Sequence, residues 1–170
     1  MTRFVFVNCV AAGQIDWKTP LTAAHQPSIR EAAMIVTKDG LVAEEYAGPS
    51  ATMLSRYAEL IPYGDVIVVG HSVEYHVGHL RAAMIPNGLD PCDGRVKTIC
   101  TMLSLTGHVT KRNGKKGWPT FAEACDHFQI TRAGVETAAD NARCLYQVFI
   151  GMQAIGAVPD EPKLWKDRYG

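Results

Sequence analysis

Apolar positions fall into short runs in the first half of the chain and into helical stripes towards its end. Phe4 to Val10 is rich in Val and Phe and is broken only by Asn8 and Cys9, a pattern that predicts a strand buried on both faces. Ala11-Ala12-Gly13 closes it, and Gly13, Pro20 and Pro27 mark residues 14 to 29 as a loop. Glu31 to Thr37 and Leu41 to Tyr46 read as two further strands. Lys38-Asp39-Gly40 between them offers glycine where positive φ costs little, so the pair is expected to form a hairpin. Ser50 is a candidate N-cap for a helix carrying Met53, Leu54, Tyr57, Ala58 and Ile61 on one face. Pro62-Tyr63-Gly64-Asp65 stops that helix before a fully apolar strand, Val66 to Val69.

Gly70-His71-Ser72 leads into a helix with Val73, Val77, Leu80 and Met84 aligned, ended by Pro86-Asn87-Gly88. Val96 to Ile99 is the expected fifth strand, followed by a short helix through Met102, Leu103 and Leu105. Residues 107 to 117 form a basic, glycine-rich loop. Pro119 is expected at the first position of the next helix, whose apolar face is Phe121, Ala124, Cys125 and Phe128. The last helix is expected from about Val135 to Gly151, with Ala139, Ala142, Leu145, Val148, Phe149 and Met152 inward. From Pro159 the chain turns polar apart from Trp165. The reading is one domain over residues 1 to 158 with a C-terminal tail at 159 to 170, a mixed α/β arrangement without repeats.

Composition narrows the function. The chain has 170 residues, 47% of them hydrophobic, enough for one domain with a real core. Lys plus Arg and Asp plus Glu are 17 each, so the net charge is zero and any nucleic-acid contact needs a local basic patch. Cys9, Cys92, Cys100, Cys125 and Cys144 are odd in number and lack a CxxC pair, which argues against a disulfide framework or a zinc site. That usage suits a reducing cytoplasmic setting. No segment is long enough for a signal peptide or a membrane span.

Three segments carry a more specific pattern. They are Phe4-Val5-Phe6-Val7-Asn8-Cys9-Val10-Ala11-Ala12-Gly13, then Val69-Gly70-His71-Ser72-Val73-Glu74-Tyr75-His76-Val77-Gly78-His79-Leu80, then Val135-Glu136-Thr137-Ala138-Ala139-Asp140-Asn141-Ala142. In order, spacing and flanking apolar residues these resemble the three motifs of the DnaQ-like 3′–5′ exonucleases. Ile99-Cys100-Thr101-Met102 and Gly117-Trp118-Pro119 are similar to stretches of exonuclease X-like and phage members. The resemblance spans roughly residues 3 to 152. It implies an RNase H-like α/β fold with a central mixed five-stranded sheet flanked by helices. It also makes a phage or prophage origin an expectation, with a role in modulating a host factor.

By the same resemblance, four carboxylates should hold two divalent ions, and a histidine should serve as general base. The four places are Asn8, Val10, His76 and Asp140, and the base falls at Val135, so only Asp140 remains a carboxylate. Magnesium wants charged oxygen ligands. Asn8 keeps one neutral oxygen, Val10 has no ligand atom, and the nitrogen of His76 suits zinc or copper better. Valine cannot take a proton from water. The implied protein is therefore a degenerate, catalytically inactive pseudo-exonuclease that needs no metal and works by binding single-stranded DNA or RNA or a protein partner. Loss of up to three negative charges, with a protonated His76, would favour phosphate in the cleft.

Two other readings stand beside it. One is an active exonuclease using magnesium or manganese through Asp140, Asn8, His76 and either Glu74 or Glu136. The other is a structural or oligomerising subunit. Lys111, Arg112, Lys115 and Lys116 with Trp118 are the candidate nucleic-acid contacts, against a solvated loop whose tryptophan packs inward. Asp140 is also readable as a capping residue and His71 as a structural histidine. Asn8 could hydrogen-bond Asp140, and a Cys9–His76 nucleophile pair is conceivable.

Overall fold

The structure, a computed structural model, describes residues 2–48, 51–91, 95–115, 117–132 and 137–165. Ser50, Cys92, Lys116, Val135 and Glu136 lie outside the described residues, and with them the expected cap of the first helix and the general-base position.

Strand β1 (Arg3–Ala11) is the sheet's spine. It pairs antiparallel with β2 (Ile29–Lys38) and parallel with β4 (Val66–Gly70), so its backbone is used on both sides and its side chains are buried on both faces. β2 continues antiparallel into β3 (Leu41–Ala47) through Asp39-Gly40. Both turn residues have positive φ, 56° and 78°, the geometry of a two-residue turn matched to strand twist. β5 (Lys97–Cys100) lies parallel to β4. The strand order is β3-β2-β1-β4-β5-β6, with β6 (Lys163–Leu164) antiparallel to β5.

The sheet therefore has six strands where five were expected, and the sixth comes from the segment read as a tail. A two-residue strand has no periodicity to read. It is fixed by partners instead: the Thr98 hydroxyl donates to the Lys163 carbonyl at 3.1 Å, and the Trp165 N–H donates to the Val96 carbonyl at 2.7 Å.

Helices α1 (Ala51–Leu60) and α2 (Val73–Met84) cover one face of the sheet, where Val5, Val7, Met34, Val68, Leu80 and Trp165 share a core. Helix α5 (Ala138–Ala154) covers the other through Ala142, Leu145 and Phe149 against Phe6, Ile35 and Val69. A third cluster joins α5 to the short helix α3 (Thr101–Ser104) and to α4 (Phe121–His127) around Leu105, Cys125 and Val148. Pro119 does not open α4 as expected. Thr120 is the N-cap, because its hydroxyl accepts from the Glu123 N–H at 3.2 Å while Glu123 Oε2 accepts from the Thr120 N–H at 2.8 Å. No helix among the described residues is long and apolar enough to cross a membrane.

Candidate functional site

The motif positions meet where β1 and β4 end and α2 and α5 begin. Along β1, Val5, Val7 and Cys9 enter the α1/α2 core and Phe6 packs against α5. The two-residue period places Asn8 and Val10 on the α5 side. Asn8 is half-buried and Val10 exposed.

Asp140 caps α5. The Thr137 hydroxyl accepts from the Asp140 N–H at 3.1 Å, and Asp140 Oδ2 accepts from the Thr137 hydroxyl at 2.7 Å. Oδ1 faces Arg143 at 3.6 Å. The bonds from Thr137 hold its carboxyl below the usual range. The capping reading of Asp140 thus holds, and no hydrogen bond joins it to Asn8 among the described residues. A second carboxylate serves the same helix: Glu31 Oε2, beside Val10 in the ladder, accepts from the Ala138 N–H at 3.0 Å. Together they satisfy amides that a helix N-terminus leaves open.

His76 has a different task from the one expected. Its Nδ1 accepts from the Cys9 N–H at 3.0 Å, and its Nε2 lies 3.0 Å from the His71 carbonyl, to which it donates. The parallel β1–β4 ladder stops at Phe6 and Val69, so beyond that point Cys9 N–H and His71 C=O need new partners. The imidazole bridges the fork between the two strands. Burial pushes its pKa down to about 4, so near neutral pH it is uncharged. This corrects the expectation of a cationic His76. Both ring nitrogens are spent, so it has no lone pair to offer a metal.

The imidazole of His76 accepts from the Cys9 backbone N–H and not from its thiol, which donates to the His76 carbonyl at 4.0 Å, and burial pushes the thiol up to about 12; both argue against the nucleophile reading. His71 is structural as expected: Nδ1 lies 3.0 Å from the Thr101 hydroxyl and Nε2 3.0 Å from the Pro119 carbonyl, and burial lowers its pKa. Two magnesium ions do not fit this set. One neutral amide, one valine, one saturated imidazole and one capping carboxylate cannot balance two dications. Among the described residues no three His, Cys, Asp or Glu side chains gather as a metal site.

The basic loop is only partly available. Arg112 is ion-paired with Asp126, and its N–H donates to Glu123 Oε1 at 2.9 Å. Lys111 is half-buried and Lys115 exposed. Trp118 is 62% exposed and does not pack inward. It stands beside a groove of ≈ 850 Å³ between the first turn of α2, α3 and the C-terminal strap, whose walls also include Trp17, Tyr75 and Trp165. Glu74 lines this groove; Glu136 is outside the described residues. Sequence reasoning missed Glu31 and the groove. Neither leaves a local signal, because each arises from segments far apart in the chain.

No family model matches the sequence, and no curated protein does. Solved structures do match the fold. E. coli exonuclease I in complex with a dA16 oligonucleotide gives a TM-score of 0.66 at 11% identity, over 91% of this chain and 41% of that one. The complex with a dT13 oligonucleotide gives 0.63 at 12%, over 90% and 41%. The zinc-bound E. coli exonuclease I–ssDNA complex gives 0.61 at 12%, over 91% and 42%. The chain spans about two fifths of the length of these exonuclease I chains. It has their exonuclease-like, RNase H-type fold, and fold by itself does not assign activity.

Proposed function

We propose that this chain is an exonuclease-fold protein that has lost metal-dependent hydrolysis and acts by binding single-stranded nucleic acid along the loop that carries Lys111, Lys115 and Trp118. The observation that carries the loss of hydrolysis is His76. A residue at a ligand position has both nitrogens committed to the backbone and is neutral, so it holds the strand fork together. The binding reading is supported by an exposed indole next to two lysines, since an aromatic face stacks on any base and lysines meet phosphate. Oligonucleotides seated on exonuclease I suggest the test ligands.

Single-stranded DNA and RNA labelled at the 5′ end, incubated with magnesium and then manganese, are expected to stay intact. Laddering that disappears in Asp140→Ala would overturn the inactive reading. In EDTA, the same strands are expected to bind with an affinity that falls as salt rises. Replacing Lys111 and Lys115 together by alanine should reduce the log–log salt slope by about 1 to 2. An unchanged slope would remove the loop from the interface.

A further inference from the structure

We infer, resting on the nucleic-acid reading of the loop, that Glu123 is a positioning residue for that binding: its carboxylate closes the base of the loop and holds Lys111, Lys115 and Trp118 in the arrangement that meets a strand. Capping α4 takes only one of its oxygens. Oε2 accepts from the Thr120 N–H at 2.8 Å and from the Thr120 hydroxyl at 3.1 Å. The other oxygen reaches across the loop, where Oε1 accepts from the Arg112 N–H at 2.9 Å. One buried carboxylate thus ties together backbone amides at the two ends of an exposed segment. The bonds from Thr120, then the one from Arg112, hold its carboxyl below the usual range.

Further contacts set the loop between those ends. The Gly114 N–H donates to the Lys111 carbonyl at 2.9 Å, and Asn113 Oδ1 accepts from the Lys115 N–H at 3.0 Å, which fixes the turn between the two lysines. His71 Nε2 donates to the Pro119 carbonyl at 3.0 Å and so anchors the residue that follows Trp118. Lys111 Cδ and Nζ lie 3.9 Å from the place a Cβ on Gly117 would take, so the ammonium sits beside the backbone that carries Trp118. A phosphate contact and a base contact are therefore preset next to each other. A strand that meets an ordered loop is spared the cost of ordering it, and affinity rises accordingly. The charge of Glu123 acts the other way, since an anion beside the loop repels phosphate. Position and charge thus predict opposite signs for its removal.

Glu123→Gln separates the two. Glutamine keeps one acceptor oxygen, which preserves the capping box at Thr120, and cannot also hold the Arg112 N–H. The variant is expected to bind (dT)12 about tenfold more weakly than wild type in EDTA. Its salt slope should be unchanged, because Lys111 and Lys115 remain, and so should its circular dichroism. Asp126→Asn removes an equal charge and frees the Arg112 side chain without touching the clamp. It is expected to bind (dT)12 more tightly and to steepen the slope by up to about 1. Amide hydrogen exchange reads the clamp without a ligand: the Arg112 N–H should be protected in wild type and exchange about tenfold faster in Glu123→Gln. Affinity equal to or tighter than wild type in Glu123→Gln would overturn the inference and leave the nucleic-acid reading standing. An unprotected Arg112 amide in wild type would do the same, and so would an equal loss of affinity in Asp126→Asn. Absence of salt-sensitive (dT)12 binding by wild type would overturn both.

Discussion

Acidifying the protein from pH 7 to pH 4 is expected to remove about 3 kcal/mol of folding stability through His76. The folded pKa is about 4, lowered first by burial, from an ordinary value of 6.5. Between those values the unfolded chain binds a proton at this imidazole that the folded chain refuses. Stability is therefore full above pH 6.5 and falls as pH drops towards 4. His71 and His79, whose pKa values are also lowered by burial, act in the same direction. The lowered carboxyls, Asp140 and Glu123 among them, begin to give up their contribution as pH falls through their ordinary values of 3.8 and 4.5, so the window from 6.5 down to about 5 belongs to the histidines and below it the two losses overlap. Urea midpoints at pH 7, 6, 5 and 4 measure the slope. His76→Gln keeps a donor and an acceptor but cannot titrate, so its loss over that range should be smaller by about 3 kcal/mol. The same loss in wild type and variant would mean that protonation does not break the clip between Cys9 and His71.

How much of this was legible follows the range over which each feature is encoded. The β2–β3 hairpin was written locally in Asp39-Gly40, and the buried face of α2 in Val73, Val77, Leu80 and Met84. The order of the three motif segments was enough to expect the exonuclease-like fold and to bring Asn8, Val10, His76 and Asp140 to one end of the sheet. Asp140 could be recognised as a cap because its partner, Thr137, is three residues away. The clip at His76 could not, since Cys9 is 67 residues distant and the reason for the bond is a ladder that stops early. Residue type alone suggested a metal-ligating or cationic histidine; burial and two backbone partners made it a neutral one. Glu31 is 107 residues from the amide it accepts from, and nothing in the β2 pattern marks it as a helix cap. The groove has the same origin: Trp17, Trp118 and Trp165 are unremarkable singly and become one surface through the topology.

Trp165→Ala should cost about 3 to 5 kcal/mol, as much as truncating any core aromatic, although the residue sits in a stretch whose polar composition reads as a tail. Its side chain is 4% exposed and belongs to the core shared by α1, α2 and the sheet. Its ring covers the guanidinium of Arg81, itself 2% exposed, whose Nε donates to the Pro91 carbonyl at 3.1 Å. Removing the indole leaves a cavity and takes a π face from a buried cation, so packing and electrostatic losses add. β6 has only two residues to resist the change, which makes Trp165 the anchor of the whole strap. Trp165→Phe, which keeps an aromatic face, should lose about 1 to 3 kcal/mol. Urea unfolding at pH 7 of the two variants and of a chain ending at residue 158 ranks them. The expected order is wild type, Phe variant, Ala variant, with the shortened chain no more stable than the Ala variant. A loss under about 1 kcal/mol for Trp165→Ala would mean that the strap is dispensable to the fold.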